Sequence, residues 1–362
     1  MAASDGFEST RSQASATVGG MRLGRASSVC AAIAAAFAFA AALPAQESGG
    51  KKPATALPEG PGLAAKYPRD RGIERDPDVL LTENFEKGEI ADLGKRWSEV
   101  SNKEGRPLAF SDDAPTATRG KRSIRMTATL GKDHGGHLFG LLDRGVDEAY
   151  ARFLVKFPKD AGYVHHFVWL GGRNPVVRWP DPQAGVAPKG DDRFSAGIEP
   201  FGYDGRVPAP GLWNFYVYWR EMKVSADGKS WGNGLRPIED QAVPRDRWQC
   251  VEFRIKLNSD AETSDGELTM WLDGKLAAHF AKGAPRGPWT GMGFRLLERG
   301  GDPFEGFRWR TSKDLKISYF WLEHYVTPEC LRRNGVREPP PENSVLFDDV
   351  VVATRYVGPP QE

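Results

Sequence analysis

Three short stretches alternate strictly between two kinds of side chain: YVHHFVWLGGR (163–173), RFSAGIEP (193–200) and LWNFYVYWRE (212–221). A period of two is how a strand shows one row to a core and the other to an opposite face. In the first stretch Val164, Val168 and Leu170 form one row, with His166 on the same side, against Tyr163, His165, Phe167 and Trp169. In the second, Phe194, Ala196 and Ile198 oppose Ser195, Gly197 and Glu199. In the third, Phe215, Val217 and Trp219 oppose Asn214, Tyr216, Tyr218 and Arg220. The second rows gather His, Ser, Glu, Tyr and Arg, a richer set than a plain solvent face needs. They predict a polar, aromatic-lined groove on one side of a sheet, of the kind that holds sugars.

The same period recurs along the chain. SIRMTATL (123–130) puts Ile124, Met126, Ala128 and Leu130 inward and Arg125 outward. YARFLVKFP (150–158) buries Ala151, Phe153, Val155 and Phe157, leaving Tyr150, Arg152 and Lys156 on the other row. WQCVEFRIKLN (248–258) and ELTMWLDGKLAAHF (267–280) read as a paired unit with Asp273-Gly274 as a tight turn. ISYFWLEHYV (317–326) and VLFDDVVVATRYVG (345–358) add two more strands, with Asp348-Asp349 expected as turn or solvated residues. No stretch beyond about ten residues holds a helical period, and 41 Gly and 27 Pro supply turns. Regular short strands predict an all-β sandwich or barrel. The Pro/Gly-rich gap from Asn174 to Asp192 must be a loop, and loops of that length are usually functional or disordered.

The N-terminal region sets the expected compartment. Arg22 and Arg25 precede an uncharged apolar run, Val29 to Leu43, followed by Leu43-Pro44-Ala45. This is the pattern of a secretory signal spanning residues 1–45, with Met21 as an alternative start. The run is shorter than a membrane span requires, so a secreted or periplasmic protein without a membrane anchor is expected. Residues 46–77, rich in Pro, Gly, Lys and Glu, read as a flexible leader. Residues 78–362 show no break in composition and read as one domain. Lys and Arg total 49 against 48 acidic residues, a net charge of +1, which argues against nucleic acid held by bulk charge. Cys250 and Cys330, both beyond the signal, could pair or stay free.

Residues 248–280 resemble the paired strands of concanavalin A-like jelly rolls in polysaccharide lyases. HHFVWLGG (165–172) is similar to the lysine-led segment ending in Gly-Gly of the family-14 polysaccharide lyases, which include alginate and glucuronan-type lyases. FSAGIEP resembles that family's Ser-x-Arg strand, FYVYW its Tyr-x-Tyr strand, and FDDVVVATRYVGP a closing strand of secreted bacterial members. The resemblance covers roughly residues 80–359 and implies a two-sheet antiparallel jelly roll. It also implies β-elimination on a uronate-containing, acidic extracellular polysaccharide, with no cofactor.

Position by position, the family's catalytic tyrosines fall on Tyr216 and Tyr218 and its serine on Ser195. Its lysine position holds His165 and its arginine position Gly197. The resemblance therefore passes the charge-neutralising role to His165, assisted by Arg220, Arg125, Arg152 or Lys156, and a His–Tyr pairing suits the chemistry. Trp169, Asn214 and Glu199 complete the expected sugar-binding set. His134 and His137, with no further ligand constellation, do not make a metal site. No Glu-x-Asp-x-x-Glu strand, phosphate loop or Gly-x-Ser-x-Gly elbow stands out, which argues against the usual retaining glycosidase, nucleotide and serine-hydrolase chemistries. The alternative from another class is a non-catalytic carbohydrate-binding or adhesion module, since fold does not fix function.

Overall fold

The computed structural model describes residues 56–179, 184–237 and 240–362; the expected signal segment lies outside them. The chain first lays down β1 (Val79–Glu83), β2 (Glu99–Ser101), β3 (Leu108–Ser111), β4 (Ser123–Thr129), β5 (Gly135–Val146) and β6 (Glu148–Lys156). The three alternating stretches become β7 (His166–Arg173), β8 (Arg193–Phe201) and β9 (Leu212–Tyr218). β10 (Asn233–Arg236), β11 (Trp248–Lys256), β12 (Glu267–Leu272) and β13 (Lys275–Phe280) follow. Four short strands come next: β14 (Arg286–Gly287), β15 (Trp289–Thr290), β16 (Gly293–Arg295) and β17 (Asp302–Pro303). β18 (Ile317–Tyr325), a short helix α1 (Pro328–Arg333) and β19 (Glu342–Ala353) close the chain.

Two large sheets result. One runs β15-β16-β10-β9-β8-β7-β18-β5-β2, and the other β13-β12-β11-β6-β19-β4-β3 with β1 also on β19. All neighbours in both are antiparallel except β10 and β16. This is an open two-layer sandwich of the jelly-roll type, as the strand pattern predicts. Val164, Val168, Ala196, Ile198, Phe215, Val217 and Trp219 from one sheet meet Ile124, Met126, Ala151, Phe153, Val155, Val251 and Phe347 from the other, all in one core. Each large apolar side chain buried in this way contributes about 1.5–3 kcal/mol. The β12–β13 hairpin turns on Asp273 and Gly274 with φ of 50° and 77°, the left-handed pair that a two-residue turn of matching twist needs.

Of four features, three differ from the sequence-based expectation and one, the state of the cysteines, decides what that expectation left open. β4 ends at Thr129, and Leu130 lies exposed past it. Asp348 and Asp349 are buried within β19, where the pairing to β6 slips between Asp348 and Val351. Burial pushes their carboxyls up, to about 10 and about 6. Cys250 and Cys330 are buried and unpaired, the first on β11 and the second inside α1, capped by the Thr327 hydroxyl.

The fourth concerns the leader. From Leu57 to Pro77 the chain is strapped across the outer face of the β6-containing sheet. Gly60 N donates to Gly274 O, Ala64 N to Val357 O, and the Trp271 indole N–H to Pro58 O at 2.7 Å. Leu63 and Ile73 pack on Val351, Ala353 and Val357. Asp70 forms an ion pair with the fully buried Arg152. Backbone pairing and a buried charge pair order a segment whose composition alone reads as loose.

Candidate functional site

β9, β8, β7, β18 and β5 lie side by side, and their registers align the groove-facing residues into four rows that cross the strands. At the β7–β8 hairpin end Arg193 sits directly opposite Arg173. The next row is Tyr218, Ser195, Gly171 and Tyr319. The third is Tyr216, Gly197, Trp169, Trp321 and Phe139. The fourth gathers Asn214, Glu199, His166, Glu323 and His137.

In the second and third rows the chemistry is hydroxylic and aromatic. The Tyr216 and Tyr218 hydroxyls are 3.5 Å apart. Burial pushes both phenols up, Tyr216 further; the contact with Tyr216 and the Arg193 charge work against the rise at Tyr218. The Tyr216 ring packs over Gly232, where a Cβ would come within 2.3 Å of it. Burial also pushes Tyr319 up to about 12, opposed by its hydrogen bond with Ser195 and by Arg193 and Arg173. Trp169 lies flat across Gly197, leaving 3.0 Å for a Cβ, and stacks on Trp321 with ring centres 6.1 Å apart.

The fourth row is acidic yet uncharged. His166 Nδ1 lies 3.1 Å from Glu199 Oε2, and the imidazole packs on Tyr216 at 5.0 Å. Burial holds the Glu199 carboxyl well above its ordinary range, with Arg333 opposing, and pushes His166 down to about 3. The pair therefore carries one proton and no net charge near neutrality. Glu323 accepts from the Trp169 indole N–H at 3.2 Å, and burial pushes it up to about 8.

His166, not His165, is the groove histidine. Phe167 and Val168 are both fully buried in the core, which breaks the alternation of β7 and turns His166 to the open face. Beside it, β18 carries one more residue than β7 between the pairs Leu322–Val168 and Tyr325–His166, a bulge of the kind that re-aims side chains. His165 precedes the strand; its Nδ1 is 2.9 Å from the Thr327 hydroxyl and its ring stacks on His166 and Tyr325.

Of the other expected residues, Tyr216, Tyr218, Ser195, Glu199, Trp169 and Asn214 do share the face. Arg220 stands exposed just past the end of β9, its Cδ against Gly190. Arg125, Arg152 and Lys156 belong to the other sheet: Arg152 lies under the strap, and Lys156 pairs with Asp113 and Asp246. The face gains residues that the sequence reading passed over: Arg173, Arg193, His166, Tyr319, Trp321, Glu323 and His137. Reading ISYFWLEHYV by parity would have shown Tyr319, Trp321 and Glu323 as one row.

The long loop frames one side. Arg178 Nε donates to Ser98 O at 2.6 Å beyond one edge strand, while Gly185 bridges Ser230 on the far side. Trp179 stacks on His137 at 4.6 Å and meets Phe139 and Trp321 edge-on at 5.2 Å.

No family model matches the chain, and no curated protein does. Several solved structures are similar in fold. One is an alginate lyase from a Chlorella virus, 15% identical, with 75% of this chain and 99% of that one covered and a TM-score of 0.47. Another is an endo-β-1,4-glucuronan lyase from the fungus Trichoderma reesei, 15% identical, covering 78% and 100%, with a TM-score of 0.43. A third is a cellulose-induced protein, 14% identical, covering 77% and 99%, with a TM-score of 0.42. At this identity no residue role passes from those proteins to this one.

Proposed function

We propose that the protein is a secreted lyase that cleaves a uronate-containing polysaccharide by β-elimination on the four-row face. The observation that carries this is the Tyr216–Tyr218 hydroxyl contact one row from the Arg173–Arg193 pair. Elimination needs a cation at the uronate carboxylate, a base for the proton on the neighbouring carbon, and an acid for the departing glycosidic oxygen. The two arginines can hold the carboxylate and spread its charge as that C–H bond breaks. Tyr218 takes the proton, a C=C bond forms as the C–O bond breaks, and the same hydroxyl returns a proton to the leaving oxygen. Tyr216 supports the Tyr218 phenolate, and the Trp169–Trp321 platform stacks sugar rings. The charged-then-apolar N-terminal pattern supports an extracellular polymer as the target.

The second reading, a binding module without turnover, is favoured by the burial of both tyrosines, which disfavours the phenolate. Incubating the protein with alginate, polygalacturonate, polyglucuronate and hyaluronan, and following ultraviolet absorbance of the unsaturated product, separates the two. Product from at least one polymer supports the lyase; glycan binding with no product from any leaves the binding module.

A further inference from the structure

The aromatic row of the groove ends differently on its two sides, which governs how a polymer can lie along it. Trp169 lies flat over Gly197, and Trp321 is tilted only 24° from it. On β5 the row ends in Phe139, which is 1% exposed although it stands on the groove face among Tyr319, Trp321 and Trp179. Trp179 belongs to the loop after β7 and is turned 87° to Trp321, with ring centres 5.2 Å apart. It stacks at 4.6 Å on His137, itself turned 83° to Trp321. An indole set upright at the edge of a flat platform is a wall. The adjoining Arg178 ties that wall down, its Nε donating to the Ser98 carbonyl just before β2.

The opposite side has no such wall among the described residues. Beyond Tyr216 the same row crosses Gly234 on β10, Gly293 on β16 and the exposed Thr290 on β15. Among the described residues a Cβ at Gly234 would approach only the Asn214 amide, at 3.8 Å, and one at Gly293 only the Thr290 carbonyl, at 3.6 Å. Neither glycine has a left-handed backbone, so a side chain could stand at either, and the floor there is low and uncovered. The loop returns to this side at the Gly185–Ser230 bridge, four residues before Gly234 in the chain.

A polysaccharide stacked on the platform runs along the row, across the strands. Toward β5 it meets the upright Trp179 ring and the filled position of Phe139; toward β15 its path is open. From Tyr218 on β9 to Trp321 on β18 is three strand spacings, about 14 Å, room for about two or three sugar rings. Resting on the proposal that this groove holds a polysaccharide, we infer that it recognises a chain end. The terminal sugar sits on Trp321 against Trp179, and the rest of the polymer leaves over Gly234 and Gly293. Each elimination at the tyrosines then releases the short piece held between them and the wall, so Trp179 is the residue that sets the length of the product.

Binding tests the chain-end inference apart from turnover. Alginate, polyglucuronate and hyaluronan are each compared with the same polymer cut to about a tenth of its length by partial acid hydrolysis, with titrations of the full protein read by mass of polymer. A site that needs an end should be half-saturated by about tenfold less mass of the cut polymer, in proportion to the number of ends. Half-saturation by the same mass of either overturns the inference. Trp179→Ala removes the wall and should abolish most of that length dependence; a dependence left intact overturns the role of Trp179. Gly234→Phe obstructs the open side and should weaken long polymers by about tenfold while sparing fragments of about two or three sugars, which stop short of β10. No loss, or the same loss for both, overturns the exit path. In turnover the wild type should release short unsaturated products from the outset while viscosity falls slowly, and Trp179→Ala longer ones with a rapid fall. A preference for ends without unsaturated product keeps the chain-end inference and removes the lyase; binding of no polysaccharide removes both.

Discussion

His166 Nδ1 lies 3.1 Å from Glu199 Oε2, joining two adjacent strands of the groove with a single shared proton. Burial sets the state of both partners, pushing the carboxyl up and the imidazole down, so the contact is a neutral hydrogen bond rather than an ion pair. Its position beside Tyr216 ties the acidic margin of the face to its hydroxyl centre. Any chemistry there takes place over a floor that carries little charge, bordered on one side by arginines.

Under the lyase proposal the two tyrosines have different tasks. Tyr218 is nearer the arginine margin and is the one whose phenolate Tyr216 and Arg193 favour. Tyr218→Phe should lower kcat by about 10²-fold or more, the usual scale for losing a general acid–base group. Tyr216→Phe removes the supporting contact, so it should leave measurable turnover while moving the alkaline rise of the pH–rate profile upward. Steady-state kinetics across pH on both variants checks this; an unshifted profile in Tyr216→Phe means that this residue only fills space.

Most of the sandwich was legible because burial on one side of a sheet imposes a period of two. Ala196, Ile198, Phe215 and Val217 entered the core on that signal alone. The groove was legible on β8 and β9 for the same reason. It failed on β7 because the extra residue in β18 lies some 150 positions downstream (His324 against Phe167), and no local pattern reports it. Arg173 and Arg193 escaped notice because they end their strands, where the parity argument has least support. The strap from Leu57 to Pro77 was missed because its order comes from backbone pairing with Gly274 and Val357, which leaves no periodic mark.

Glu323 makes a pH dependence of stability that one substitution removes. Its folded-state value is raised from 4.5 to about 8 by burial, with Glu199 adding to the rise and the Trp169 N–H opposing it. His137 faces it from the neighbouring strand. Between those two values the folded state binds more protons than the unfolded one, so stability must fall as pH rises. Its contribution is fully present below about pH 4.5 and is lost as pH passes about 8, with a slope of at most about 1.4 kcal/mol per pH unit. Glu252, raised to about 7, acts in the same direction, so the useful quantity is the difference between proteins. Thermal melting from pH 5 to 9 should show a shallower alkaline decline in Glu323→Gln than in the wild type. Parallel curves would mean that the Glu323 carboxyl is already ionised in the folded protein at neutral pH.

The strap is fastened by a charge pair that cannot be halved cheaply. Arg152 is fully buried on β6, its partner Asp70 is 8% exposed by side chain, and Arg152 Nε and Nη1 have no further hydrogen-bond partner among the described residues. Removing one member of such a pair strands the other charge in a poorly solvated place, at about 3–5 kcal/mol. Arg152→Met should therefore destabilise the fold strongly while leaving the groove, on the opposite sheet, chemically unchanged. Adding Asp70→Asn to Arg152→Met should recover part of the loss, because the stranded carboxylate is gone. Urea denaturation of the two single variants and the double variant forms the cycle that measures this coupling. Two losses that simply add would show that the strap is held by its apolar contacts at Leu63 and Ile73 and that the ion pair is incidental to it.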